Sequence, residues 1–298
     1  MTESTTTVGV IGLGVMGGGM AATLVRAGFE VLGLDPDPGR SAVAAGNGVT
    51  PVSAPAELAG RADRVVLSLP GAAEVAETVP ALLAGGAPGL IVDTTTSDPD
   101  TTRAMASLAA GAGTGYIDAP VSGGRTGAET GTLGAFVGGS DDAVHAAASV
   151  LDALTGGRAV HVGGPGAGNV AKLLNNALCA AQLGLVGEAV AAGAGYGLDP
   201  DRLIAALGAA SGRSAVTEVN YPKWILPGTF DSGFPVRLMS RDVALCLDVI
   251  GRSGAEPGLL NAAGNLWAQA AERLDPAADF NRVAVLAGEL SREGARPN

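Results

Sequence analysis

The sequence predicts an α/β half followed by an all-helical half, and three observations predict it. Short runs rich in Val, Leu and Ile alternate with Ala-rich helical stretches as far as about residue 163. The run GGPGAG, Gly163–Gly168, then breaks the composition. Beyond it the apolar spacing is helical, and no convincing strand follows. The expected domains are therefore 1–165 and 166–298, a division that a chain of 298 residues readily accommodates.

The strands are expected at Val8–Ile11, Glu30–Leu34, Arg64–Leu69, Leu90–Asp93, Tyr116–Ala119, Leu133–Val137 and Ala159–Val162. Their apolar residues run on without strict alternation, as in a sheet covered by helices on both faces. After the break, Asn169–Gly193 reads as one long helix with Val170, Leu173, Leu174, Ala177, Leu178, Ala181 and Leu185 on its apolar side. Further helices are expected at Asp199–Leu207, Pro235–Arg252, Gly258–Arg273 and Asp279–Leu290. Asn176–Leu198 is strongly apolar, but Gln182 and Glu188 interrupt it, which favours a buried helix over a membrane span. Gly184, Gly187 and Gly193 allow close helix contact within or between chains.

Composition narrows the function. The chain is 47% hydrophobic but only 3% aromatic, so its core must be built from Ala, Val and Leu. A formal charge of −11 argues against nucleic acid or an anionic membrane as partner, because both need clustered Lys and Arg. Cys179 and Cys246 suggest no disulfide framework, and MTESTTTVGV lacks the pattern of a secretory leader, so a cytoplasmic protein is expected. With His145 and His161 alone, no metal site is expected.

The densest motif is VIGLGVMGGGMAATLVRAGFEVLGLD, Val10–Asp35. Gly12, Gly14 and Gly17 form G-x-G-x-x-G between a strand and a helix, the setting in which this spacing binds a dinucleotide pyrophosphate. The first half is thus expected to be a Rossmann-type dinucleotide-binding domain. Asp35 ends the next strand, where an acid accepts from the adenosine ribose hydroxyls and repels the extra phosphate of NADP. NAD is the expected cofactor, with NADP possible because Arg40 follows closely.

Two further segments carry candidate chemistry. In DAPVSGG, Asp118–Gly124, residues Ser122, Gly123 and Gly124 offer a hydroxyl and two unencumbered N–H groups; alone, these read equally as a carboxylate cradle or a β-turn. In GAGNVAKLLNN, Gly166–Asn176, Lys172 and Asn176 lie one helical turn apart on one face. A lysine partly withdrawn from water exchanges a proton near neutral pH, but a snorkelling surface lysine fits the spacing as well.

Together and in this order, GLGVMGGGMA, DAPVSGG and GAGNVAKLLNN resemble the signatures of the β-hydroxyacid dehydrogenase family, which includes 3-hydroxyisobutyrate dehydrogenase and tartronate semialdehyde reductase. The resemblance runs from Val8 to about Leu247. It implies that hydride moves between a nicotinamide cofactor and a small β-hydroxyacid or its semialdehyde. Lys172 would be the acid/base, Asn176 would orient the substrate, and Ser122, Gly123 and Gly124 would hold it. The cofactor would rest on Gly12, Leu13, Gly14, Val15, Met16 and Gly17, and near Leu69, Pro70 and Thr96.

Two departures stand out: Arg241 precedes Asp242 where the family carries lysine, at a position serving substrate and cofactor, and Thr95 replaces the usual serine. Arg125, Arg213 and Arg237 are further anion-binding candidates, and Tyr221 and Trp224 candidate pocket walls. The resemblance also implies a homodimer or homotetramer. The rival readings are an imine reductase-like enzyme, a 6-phosphogluconate dehydrogenase, which has a larger helical domain, and an inactive dinucleotide-binding module. Lys172 with Asn176 weighs against the first, the roughly 130 residues left for the helical half against the second, which shares the lysine helix, and the retained lysine and Ser-Gly-Gly turn against the third.

Overall fold

The structure is a computed structural model that describes residues 6–294. The reading of the N-terminus as lacking a leader rests partly on residues 1–5, which lie outside the described residues. The chain forms two compact units, the first ending at Lys172 and the second beginning at Leu173.

The first unit is built on a sheet of nine strands. They are β1 (Thr7–Ile11), β2 (Glu30–Leu34), β3 (Thr50–Pro51), β4 (Arg64–Leu67), β5 (Leu90–Asp93), β6 (Gly115–Asp118), β7 (Val121–Ser122), β8 (Gly134–Gly138) and β9 (Ala159–Gly163). Their order is β3-β2-β1-β4-β5-β6-β8-β7, with β9 also pairing β8. Pairing is parallel from β3 to β6; β8 runs antiparallel to β6 and β7. The two-residue strands β3 and β7 were not expected, since neither is long enough to leave an apolar run in the sequence.

Each central strand feeds two cores. Val66, Val92 and Ile117 pack on the face covered by α1 (Val15–Arg26) and α7 (Asp141–Thr155). Val65, Leu67, Ile91 and Tyr116 pack on the face covered by α3 (Pro55–Ala59), α4 (Ala72–Gly85) and α5 (Pro99–Gly111). Period-two geometry divides a continuous apolar run between these two layers. Two short helices complete the unit, α2 (Pro38–Gly46) and α6 (Gly124–Thr130).

The second unit holds α8 (Ala167–Gly195) from Leu173 onward, with α9 (Pro200–Gly208), α10 (Val236–Arg252), α11 (Gly258–Arg273) and α12 (Arg282–Gly294). Between α9 and α10, Val216–Ile225 winds as a π-helix with Pro222 inside it, an element the sequence pattern does not announce. The core gathers Ala180, Leu183, Tyr221, Val243, Trp267 and Val283, and the Trp267 indole N–H donates to the Ala180 carbonyl at 3.2 Å. The glycines of α8 serve contacts inside the chain. A Cβ on Gly187 would fall 2.2 Å from the Ala284 carbonyl, one on Gly184 would fall 2.6 Å from Leu266, and one on Gly193 2.5 Å from Leu203.

The expected apolar side of α8 needs correction. Leu173 and Ala177 are buried, but Leu174, Leu178 and Leu185 are 38%, 56% and 64% exposed. α8 is apolar nearly all round, so spacing alone did not identify its packed side. It is the one helix among the described residues long and apolar enough, by length and composition, to cross a membrane.

Candidate active site

The glycine turn follows β1. Gly12 has φ +89°, and a Cβ there would lie 2.2 Å from the Ser68 carbonyl, while one on Gly17 would lie 1.8 Å from that of Gly12. These two glycines let the turn close against the loop after β4 and against the start of α1. Gly14 differs, because a Cβ there meets nothing nearer than Arg40 Nη1 at 3.9 Å. No side chain caps α1 at Gly14, so the first N–H groups of the helix and the positive end of its dipole are available to an anion. That is a cradle a pyrophosphate fits. Leu13 is buried beneath it, Met16 half-buried and Val15 exposed.

Asp35 has backbone partners of its own. Its side chain is 2% exposed, and its carboxylate accepts from the Leu13 N–H at 2.7 Å and the Asp37 N–H at 2.9 Å. It pins the glycine turn to the end of β2. The acid open to water there is Asp37, which the sequence reading passed over although its place before Pro38 at a helix start was a signal. Asp37 accepts from the Gly39 N–H at 2.7 Å, and Arg40 lies 3.6 Å from both Asp35 and Asp37.

The loops after β4 and β5 form one hydrogen-bonded piece. The Leu69 N–H donates to Thr95 Oγ1 at 3.1 Å, the Thr95 N–H to Asp93 Oδ1 at 3.0 Å, and the Tyr116 hydroxyl to Asp93 Oδ2 at 2.7 Å. Burial pushes Asp93 up to about 6, against the pull of its hydrogen bonds from Thr95 and Tyr116. The same burial, with Asp93 beside it, holds the Tyr116 hydroxyl well above its ordinary value. Thr95 makes the tie, Thr96 is half-buried beside it, and Pro70 is exposed.

Ser122 ends β7 and is exposed, with Gly123 at φ +121° and Gly124 at φ +58°. The helix that follows, α6, packs on α1, where the Thr23 hydroxyl donates to the Ala128 carbonyl at 2.7 Å. Arg125, next in sequence, is exposed.

Lys172 and Asn176 stand one turn apart on α8, 8% and 5% exposed. Within the helical unit the Asn176 amide donates to Asp242 Oδ2 at 2.8 Å, and Arg241 reaches Asp242 Oδ1 through Nε at 3.0 Å and Nη2 at 2.8 Å. Asp242 is 1% exposed and orders both partners. Arg213 faces Glu218 at 3.7 Å on the surface and Arg237 is exposed. Tyr221 belongs to the helical core, where burial pushes its hydroxyl up to about 12. Trp224 is half-buried under the Lys223 ammonium. Among the described residues no group of three or more His, Cys, Asp and Glu is placed to hold a metal ion.

In the first unit the structure thus gathers the glycine turn, Leu69–Pro70 and Thr95–Thr96 at the carboxyl ends of the neighbouring strands β1, β4 and β5. Strand order reverses between β1 and β4, the place where open parallel sheets bind ligands. Comparison with known proteins agrees. Residues 7–164 match the model for the NAD binding domain of 6-phosphogluconate dehydrogenase. Residues 166–287 match that for NAD-binding of NADP-dependent 3-hydroxyisobutyrate dehydrogenase. The 2-(hydroxymethyl)glutarate dehydrogenase of Eubacterium barkeri is 36% identical over 86% of this chain and 85% of its own length. The structure of Mycobacterium tuberculosis 3-hydroxyisobutyrate dehydrogenase with L-serine is similar at a TM-score of 0.88 and 33% identity, over 94% of this chain and 98% of that one. An imine reductase from Pseudomonas shares the fold at 19% identity and a TM-score of 0.63, over 94% of this chain and 98% of that one.

Proposed function

The chain belongs to the β-hydroxyacid dehydrogenase family and is an NAD(P)-dependent oxidoreductase of small hydroxyacids; within that activity we propose that Lys172 is the acid and base. The observation that carries the proposal is the burial of this lysine, one turn before a buried Asn176 that Asp242 orients. A buried amine is screened from bulk water and can exchange its proton with a substrate group bound beside it.

The nicotinamide, when bound, takes or gives the hydride. In oxidation neutral Lys172 accepts the hydroxyl proton of the substrate; in reduction its ammonium returns that proton to the forming alkoxide. Ser122, Gly123 and Gly124 hold the substrate carboxylate, Asn176 its hydroxyl, and Arg241, already turned toward Asp242, a second anionic group or the cofactor. Gly12–Gly17 would receive the pyrophosphate, and Leu69, Pro70 and Thr96 would border the nicotinamide. The proposed substrates are 3-hydroxyacids or their semialdehydes, of the kind that name the relatives. A panel of 3-hydroxyisobutyrate, 2-(hydroxymethyl)glutarate and L-serine with NAD and NADP, followed by NADH or NADPH absorbance, tests the class. Lys172→Ala is expected to lose about 10²–10⁴ in turnover at unchanged NADH affinity.

NAD is proposed over NADP. Asp35 and Asp37 outweigh Arg40 in charge at the end of β2, an arrangement that disfavours a further phosphate. Tighter binding of NADPH than NADH would overturn this. A homo-oligomer is proposed from the exposed Leu174, Leu178 and Leu185, which light scattering checks. A cytoplasmic location is proposed with it, since two cysteines far apart in sequence, Cys179 and Cys246, suggest no disulfide framework.

A further inference from the structure

The segment that begins with Asp118 carries the Ser122–Gly124 turn four residues later, and Asp118 itself grips the start of the lysine helix. Asp118 is fully buried at the end of β6. One carboxylate oxygen accepts from the Gly166 N–H at 2.8 Å, the other from the Asn169 N–H at 2.8 Å. The approach is close enough that Gly168 has no room for a side chain, since a Cβ there would fall 2.3 Å from the Phe136 carbonyl and 2.7 Å from that of Asp118. Asn169, also fully buried, completes the grip: its Oδ1 accepts from the Ser97 N–H at 2.8 Å and its amide donates to Thr102 Oγ1 at 3.1 Å. The start of α8 is thereby fixed to the loop after β5 as well as to β6, three residues before Lys172.

We propose that Asp118 and Asn169 are positioning residues for Lys172, holding the lysine helix in register with the Ser122–Gly124 turn and with the Thr95–Ser97 loop. The proposal rests on the reading of Lys172 as acid and base. Carboxylate-to-N–H bonds at a helix start are strong and directional, and they oppose the positive end of the dipole, so this contact sets where the helix begins. A shift of about 1 Å in an acid/base group costs up to about 10² in rate without affecting cofactor binding. Neither residue touches the reacting atoms.

The test is Asp118→Asn in the full chain, with and without Lys172→Ala, assayed for kcat at saturating NAD with the best member of the hydroxyacid panel. An amide can accept only one of the two N–H groups and turns a donor toward the other. The expected result is a fall of roughly 10–10² in kcat with NADH affinity unchanged. Amide hydrogen exchange should quicken at Gly166–Asn169, and the substitution should cost nothing further in the Lys172→Ala background. An equal loss in both backgrounds, or a raised NADH dissociation constant with kcat intact, overturns the proposal. Full turnover by Lys172→Ala alone overturns the underlying reading instead. Should Asp118→Asn not fold, Thr102→Val removes the Asn169 partner at the far end. Its kcat should fall severalfold and be restored in Thr102→Ser; no fall overturns the proposal.

Discussion

Helix α8 begins on buried polar hydrogen bonds and continues on apolar packing, and the two stretches tolerate error differently. From Gly166 to Lys172 the backbone is held by Asp118 and by the reach of Asn169 to Ser97 and Thr102. From Leu173 onward, Ala180, Leu183 and their neighbours pack against Trp267 and Val283, and Asn176 pairs with the charge of Asp242. Hydrogen bonds fix position to a fraction of an ångström but contribute little net stability, whereas apolar burial contributes stability with looser geometry. The first stretch carries Lys172, the proposed acid/base group, where position matters most.

The largest effect that tests this contrast is expected in the second stretch. Leu183→Ala removes a fully buried side chain and should lower stability by about 2–5 kcal/mol. Both tryptophans, Trp224 and Trp267, lie in the helical unit, so urea unfolding read by their fluorescence reports on that unit. An unchanged midpoint would show that Leu183 does not belong to the load of this core.

Next is the acid network beside the first stretch. Asp93 titrates at about 6 in the fold against an ordinary 3.8, so the folded chain binds a proton more readily than the unfolded one. Its contribution is fully present below the ordinary value and is lost as pH rises through about 4 to 6, on the order of 3 kcal/mol. Asp118, registered opposite Asp93, is raised in the same direction by burial, against the N–H groups of Gly166, Asn169 and Gly168. Asp93→Asn should flatten the fall in melting temperature across that window. Parallel curves would contradict the assignment.

The smallest effect separates shape from binding at the glycine turn. Gly14→Ala places a methyl group in open space, so melting should be unchanged while NADH affinity falls by roughly tenfold. Retained affinity would mean that no ligand approaches Gly14.

Much of this was legible in the chain. Continuous Val, Leu and Ile runs gave the parallel strands because burial on both faces demands them, and the glycine spacing located the turn because only its backbone chemistry suits that place. The backbone partners of Asp35 were not legible because a strand-end acid serves a ribose or an N–H equally well, and only the fold shows the Leu13 N–H within reach. The roles of Asp118, Asn169 and Asp242 were hidden because each depends on partners 48 to 72 residues away. The exposed leucines of α8 were misread because the helix is apolar on nearly every side. The π-helix at Val216–Ile225 has no periodic signature of its own.

The central claim is that the amine of Lys172 moves the substrate proton. Chemical rescue tests it most directly: turnover of Lys172→Ala on the best hydroxyacid, measured with increasing ethylamine at fixed NAD and pH. Turnover that is lost in the variant and returns in proportion to the free amine, with NADH affinity constant throughout, is the predicted result. A variant that works nearly as well as the parent chain without any amine contradicts it.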